Sequence, residues 1–156
     1  MTVAVTLIIN QPLPKGVEKA LLNKACQLTF NKFGSELKGA LELTFVDKKK
    51  SQELNNKYAG DNYPTDVLAF NYQAETDLSP TDLIGEIVIC SEIAQTQARE
   101  HNLLVKAEVS LLFIHGMLHL LKYDHQNPAS QSRFSALQDG IMEELALKSR
   151  QFEWSH

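Results

Sequence analysis

The segment LLFIHGMLHLLKYDH, residues 111 to 125, constrains this chain more than any other. It is a nearly unbroken apolar run that carries three histidines at spacings of four and six. Residues four apart on a helix share a face about one turn apart, so His115 and His119 can direct their imidazoles at one point. The apolar neighbours LLFI and LHLL place that helix in the interior. His125 joins the pair if the helix ends near Leu121 or Lys122 and the chain turns back toward its own last turn. Two such histidines alone would more often be a hydrogen-bonded core or surface pair. Three converging in an apolar setting have little reason to do so without a cation. Imidazole ligands favour zinc or another borderline divalent ion over calcium and magnesium. The expectation is one Zn2+ held by His115, His119 and His125, since a catalytic zinc takes three protein ligands and keeps one open position.

What such an ion would act on depends on the base beside it. Metalloproteases with HExxH place a glutamate directly after the first histidine. Here that position is Gly116. A carboxylate base must then come from elsewhere, with Asp124 the nearest candidate and Asp66 or Glu86 possible, or the substrate must assist. Asp124 also fits a different role, that of a carboxylate orienting an imidazole from behind.

The rest of the chain reads as an α/β alternation. A β-branched strand from Val3 to Ile9 precedes a helix from about Lys15 to Phe33, striped by Val17, Leu21, Leu22, Ala25 and Leu28. LELTFV, Leu41 to Val46, alternates as a strand with Leu41, Leu43 and Phe45 on one face, and Asp47 caps a helix from about Lys48 to Tyr58. A short strand covers Val67 to Phe70, a polar loop Gln73 to Asp82, and an apolar strand Leu83 to Cys90. Helices follow over Ser91 to Glu100, Leu103 to Lys122 and, after the Asn127-Pro128 turn, Ala129 to Lys148. Four strands and about five helices in mixed order predict an α+β fold, a mixed four-stranded sheet packed with helices in one domain over residues 1 to 156, the metal site at the end of a buried helix. No chemistry is assigned to Trp154.

Composition limits the partners. With 44% hydrophobic and 22% charged residues the chain is globular, and no apolar run approaches the roughly 20 residues a membrane helix needs. No export signal is visible at the amino terminus, and Cys26 and Cys90 read as buried thiols, so a cytoplasmic protein without membrane association is expected. A net charge of -4 argues against general coating of nucleic acid. The charge is uneven: residues 1 to 58 carry nine lysines against five acids, and residues 59 to 100 one arginine against eight acids. A polyanion should approach the first third. Lys48, Lys49 and Lys50 are its densest basic run, read first as a solvated helix start.

HGMLHLLKYDH resembles the H-G-x-L-H-L-x-G-Y-D-H signature of the YbeY-type endoribonuclease family, agreeing at every fixed position but one. LNNKYAGDNYPTDVLAF from Leu54 is similar to that family's L-N-x-x-Y-R-x-x-D-x-P-T-D-V-L-S-F block, and LIGEIVIC from Leu83 to its L-G-D-I-V-I block. The resemblance implies a mixed four-stranded sheet with helices, metal ligands at His115, His119 and His125, and metal-dependent cleavage of single-stranded RNA in rRNA maturation and ribosome quality control, with rRNA precursors and the ribosome or its small subunit as partners. The departures are Lys122 for the usual glycine, Ala59 for the usual arginine, Ala69 for serine and Glu86 for aspartate. The loss at 59 matters most, because an arginine can clamp phosphate bidentately, and Lys57 or Lys122 would replace it only as point charges. Besides a zinc-dependent endoribonuclease, two readings stay open: a ribosome- or partner-binding protein with a structural metal and weakened catalysis, and a metallopeptidase, which Gly116 disfavours.

Overall fold

The computed structural model describes residues 4–10, 12–72, 82–123 and 125–152. Strand β1, Ala4–Asn10, leads into helix α1, Lys19–Phe33, then β2, Lys38–Val46, and α2, Lys48–Ala59. The short β3, Val67–Asn71, and β4, Leu83–Cys90, follow, and then α3, Ser91–Glu100, α4, Val105–Leu120, and α5, Pro128–Glu144. The sheet runs β1-β2-β4-β3, with β1, β2 and β4 parallel and β3 antiparallel on the edge beside β4. The fold is therefore the α+β arrangement of four strands and five helices that the sequence predicts. Val3, Gln73 to Thr81, Asp124 and Trp154 lie outside the described residues.

The alternation in β2 divides the sheet into two faces. Leu41, Leu43 and Phe45 are buried beside Ile87 and Ile89 of β4, whereas Glu42, Thr44 and Val46 point to a half-covered opposite face. Helix α4 is the core helix: from Ala107 to Leu120 only His119 is not buried. Its approach to the sheet is eased by a missing side chain, because a Cβ on Gly116 would meet Ile87 side-chain atoms at 3.0, 3.2 and 3.3 Å.

Helix boundaries depart from expectation by two to four residues where the backbone turns left-handed. Helix α1 starts at Lys19 rather than Lys15, since Gly16 sits in a turn at φ 86°. Helix α4 is shorter at both ends than Leu103 to Lys122. Asn102, at φ 55°, closes α3 with Leu103 N–H on the Ala98 carbonyl, so α4 cannot start before Leu104 caps it. Lys122, at φ 69°, closes α4: its N–H donates to the His119 carbonyl and that of Tyr123 to the Leu118 carbonyl. These paired bonds form a Schellman motif, which satisfies carbonyls the helix end would leave open. Helix α5 opens one residue early because Pro128 sits at its first turn behind an Asn127–Ser130 capping box, and it stops at Glu144 where Ala146 turns to φ 57°. Strand β2 begins three residues before Leu41, through an irregular stretch that pairs with β1.

Among the described residues no single helix is long and apolar enough to cross a membrane. Cys26 and Cys90 are both buried thiols, and burial pushes the Cys26 thiol up to about 12.

Candidate metal centre

The reversal at Lys122 brings the chain back beneath the last turn of α4. His115 and His119 come from the helix and His125 from the returning segment. The Nε2 atom of His119 lies 3.1 Å from Nε2 of His115 and 3.1 Å from Nε2 of His125, and the three ligand atoms fall within 4.8 Å of one another. A ring nitrogen carries either one hydrogen or one in-plane lone pair, so His119 Nε2 cannot donate to one neighbour while accepting from the other. A hydrogen-bond chain therefore does not account for the cluster. Ligand atoms held about 2.0–2.1 Å from one ion at tetrahedral angles stand about 3.3 Å apart, close to the spacings found. The donor set fits a metal ion.

The orientation of the first ring is fixed from behind. His115 is buried, and its Nδ1 lies 2.8 Å from Oε1 of Gln138, itself 1% exposed. An amide oxygen only accepts, so Nδ1 carries the hydrogen and Nε2 presents its lone pair to the cluster. Four residues earlier on α5, Phe134 packs its ring 4.9, 5.2 and 5.4 Å from the rings of His115, His119 and His125. Gln131 Nε2 donates to the His125 carbonyl at 3.1 Å, tying the third ring's backbone to the same helix. Phe152 stacks on the His115 ring at 4.0 Å with 5° between the planes.

A cleft of about 460 Å³ opens onto His115, Gly116 and His119. Its far wall is Val67, Leu68 and Ala69 of edge strand β3 and the segment from Ala59 to Thr65. That segment is held to α2 by Ser51, whose hydroxyl bonds both the N–H and the carbonyl of Thr65, and by Asn55, which donates to the Tyr63 carbonyl.

Of the carboxylates considered as a base, Asp66 is buried and accepts from Val67 N–H at 2.8 Å and Gln97 Nε2 at 3.3 Å, which commits it to holding the start of β3. Glu86 accepts from Thr44 Oγ1 at 2.8 Å and lines a separate groove on the other face of the sheet. Asp124 lies outside the described residues. The carboxylate on the cleft wall is Asp61, which sequence reasoning passed over. Ala59 does line the cleft, but neither Lys57, above the Tyr58 ring, nor Lys122, in a small pocket with Arg133 and Phe134, replaces a cation there. The Lys48–Lys50 run is the exposed start of α2, capped by Asp47 on Lys50 N–H, as expected.

The family model described as Endoribonuclease YbeY matches residues 10–146. The chain belongs to the YbeY endoribonuclease family. Proteins named Endoribonuclease YbeY from Bdellovibrio bacteriovorus and Spiroplasma citri are each 38% identical to it, over 109 and 112 residues, which is 69% of this chain and 69% and 71% of theirs. The Staphylococcus aureus relative of the same name is 37% identical over 113 residues, 69% of this chain and 73% of its own. A solution structure of a protein from Thermotoga maritima shares the fold, with a TM-score of 0.58 over 91% of both chains at 24% identity.

Proposed function

We propose that this YbeY family member is a zinc-dependent endoribonuclease that cleaves single-stranded RNA in rRNA maturation and ribosome quality control, working in the cytoplasm on rRNA precursors at the ribosome or small subunit. The observation carrying the reading is the convergence of three imidazoles, with His119 Nε2 3.1 Å from Nε2 of both His115 and His125, beside a cleft that His115 and His119 line. His115, His119 and His125 would hold the ion. Three imidazoles suit zinc over the hard cations and leave a coordination position for substrate. Zinc so held supplies Lewis acidity toward a phosphoryl oxygen and lowers the pKa of water. The chain's own part is to fix the His115 tautomer through Gln138, to bound the cleft with the extended Val67–Ala69 segment, and to offer Asp61 as the wall carboxylate. Gly116 supports nuclease over peptidase chemistry: the glutamate of HExxH is absent from that position, and a Cβ there would stand 3.0 Å from an Ile87 methyl that would have to give way.

Ala59 supports a second reading. With no side-chain cation at that point of the wall, the chain could act mainly as a ribosome- or partner-binding protein with a structural metal, and an Ala59→Arg variant that gains cleavage would favour it. The test is to incubate zinc-loaded protein with single-stranded RNA and with rRNA precursors, with and without ribosomes. Cleavage lost in His119→Ala and on chelation is expected. Stoichiometric zinc with no cleavage of any of these RNAs would overturn the enzymatic reading.

A further inference from the structure

Among the described residues, the three histidines and their cleft leave a buried charged pair unused. Glu108 on α4 is fully buried, and Arg150 of the carboxyl-terminal segment grips it with two bonds, Nε to Oε1 at 2.8 Å and Nη2 to Oε2 at 2.6 Å. Glu108 and His115 are seven residues apart, two turns along one side of the helix. Two residues past Arg150, Phe152 lies 4% exposed and flat on His115, with the Arg150 guanidinium carbon 4.9 Å from the centre of the Phe152 ring. The chain after α5 is thus tethered at one point of α4 and laid along it onto the imidazole. This segment falls beyond the residues 10–146 that the family model matches.

A buried ion pair is a poor means of stabilising a fold, because desolvation cancels much of its attraction; its better-attested use is to fix one arrangement among several. Here the arrangement fixed is that of a ring. Gln138 restrains His115 within its plane by a hydrogen bond about which the plane can tilt, and Phe134 meets the ring at 50° rather than flat. A flat aromatic face at van der Waals distance removes that tilt.

We infer that Phe152, anchored by the Arg150–Glu108 pair, is a positioning residue that holds the His115 imidazole in the orientation needed for metal capture. The inference rests on the metal-binding part of the proposed function and not on RNA cleavage. Hydrogen-bonding groups that orient metal-ligating histidines typically change affinity about 10–100-fold when removed, and a ring stacked on the same imidazole is expected at the lower end, about tenfold.

The experiment uses the full chain and two variants, Phe152→Leu, which keeps apolar volume but not the flat face, and Arg150→Lys, which keeps charge but not the bidentate fork. Zinc affinity is measured by chelator competition at a temperature where the metal-free proteins are folded, and the His115 ring by imidazole nitrogen NMR of the metal-free proteins. Zinc binding weakened about tenfold or more, with the His115 ring nitrogens exchange-broadened while the Nδ1–H tautomer set by Gln138 persists, is expected for Phe152→Leu and to a smaller extent for Arg150→Lys. Parent-like zinc affinity together with a parent-like His115 spectrum in Phe152→Leu would overturn it. Should the parent itself bind no zinc, the proposed function fails, and the imidazole spectra alone decide whether the tail holds the ring.

Discussion

Replacing Gln138 by leucine tests whether the centre depends on an oriented ring or merely on three nearby histidines. The substitution keeps the buried volume of α5 and deletes the acceptor 2.8 Å from His115 Nδ1. The first consequence is a buried N–H without a partner, a cost of about 1–3 kcal/mol in metal-free stability. For a domain of this size each kcal/mol moves Tm by about 2–4 °C, so a drop of about 2–12 °C follows. The second consequence is chemical. Without the acceptor the ring loses its preference for Nδ1–H, and the fraction presenting an Nε2 lone pair falls. Loss of such an orienting bond weakens metal binding about 10–100-fold, equivalent to about 1.4–2.8 kcal/mol. Gln138→Glu separates the two effects, because it keeps an acceptor oxygen but buries a negative charge. It should be destabilised when metal-free and gain more Tm from zinc than the parent does. Thermal melts with and without zinc, paired with chelator competition, read both. A Gln138→Leu protein that melts lower but binds zinc as tightly as the parent would refute the reasoning, leaving Gln138 as packing alone.

Two further outcomes follow from the backbone and the core. Lys122→Gly should raise Tm by about 1–4 °C, since relief of the left-handed conformation at φ 69° outweighs, by roughly 0.5–1 kcal/mol, the entropy glycine adds to the unfolded chain; Asn102→Gly should change it less, because asparagine tolerates that conformation, and a lower melt for Lys122→Gly would contradict the account. Cys26 has its thiol pushed up to about 12 from 9.0 by burial, so above pH 9 the unfolded chain releases a proton that the folded chain keeps. Stability from this group is present below pH 9 and is lost as pH rises toward 12, at about 1.4 kcal/mol per pH unit, a slope that denaturant titrations of the parent and Cys26→Ala should reveal as a shrinking difference.

The elements were legible because their signals are local. Alternation in LELTFV assigned the buried face of β2, and the four-residue spacing of His115 and His119 put both on one side of α4. Helix ends were less legible, since two of them are closed by Lys122 and Ala146 in a conformation that neither residue type advertises. The supports of His115 were not read at all: Gln138 is 23 residues away, and Phe152 still further. One signal for Gln138 does exist. Phe134, Gln138, Ile141 and Met142 are the buried residues of α5, and an amide within an otherwise apolar set implies a buried partner. For Arg150 the corresponding sign was Glu108, an acid inside the apolar run of α4, whose partner no spacing rule could name.

The same cleft makes a demand on RNA that electrostatics can test. Its described lining includes the Asp61 carboxylate and no lysine or arginine, while the densest basic run sits outside it at the start of α2. A phosphodiester entering such a cleft meets repulsion unless a dication stands at the histidines, and the attraction of a dication over the same few ångströms exceeds that of one carboxylate in proportion to its charge. Binding of a non-cleavable single-stranded oligonucleotide should therefore weaken at least tenfold on chelation, and Asp61→Asn should recover part of the loss in metal-free protein. The salt dependence should be shallow, about 0.7 in the log–log slope for each phosphate contacted, with one or two contacts. Metal-free protein that binds as well as loaded protein, with a steep salt slope, would place the RNA on the lysines of α2 and away from the histidines.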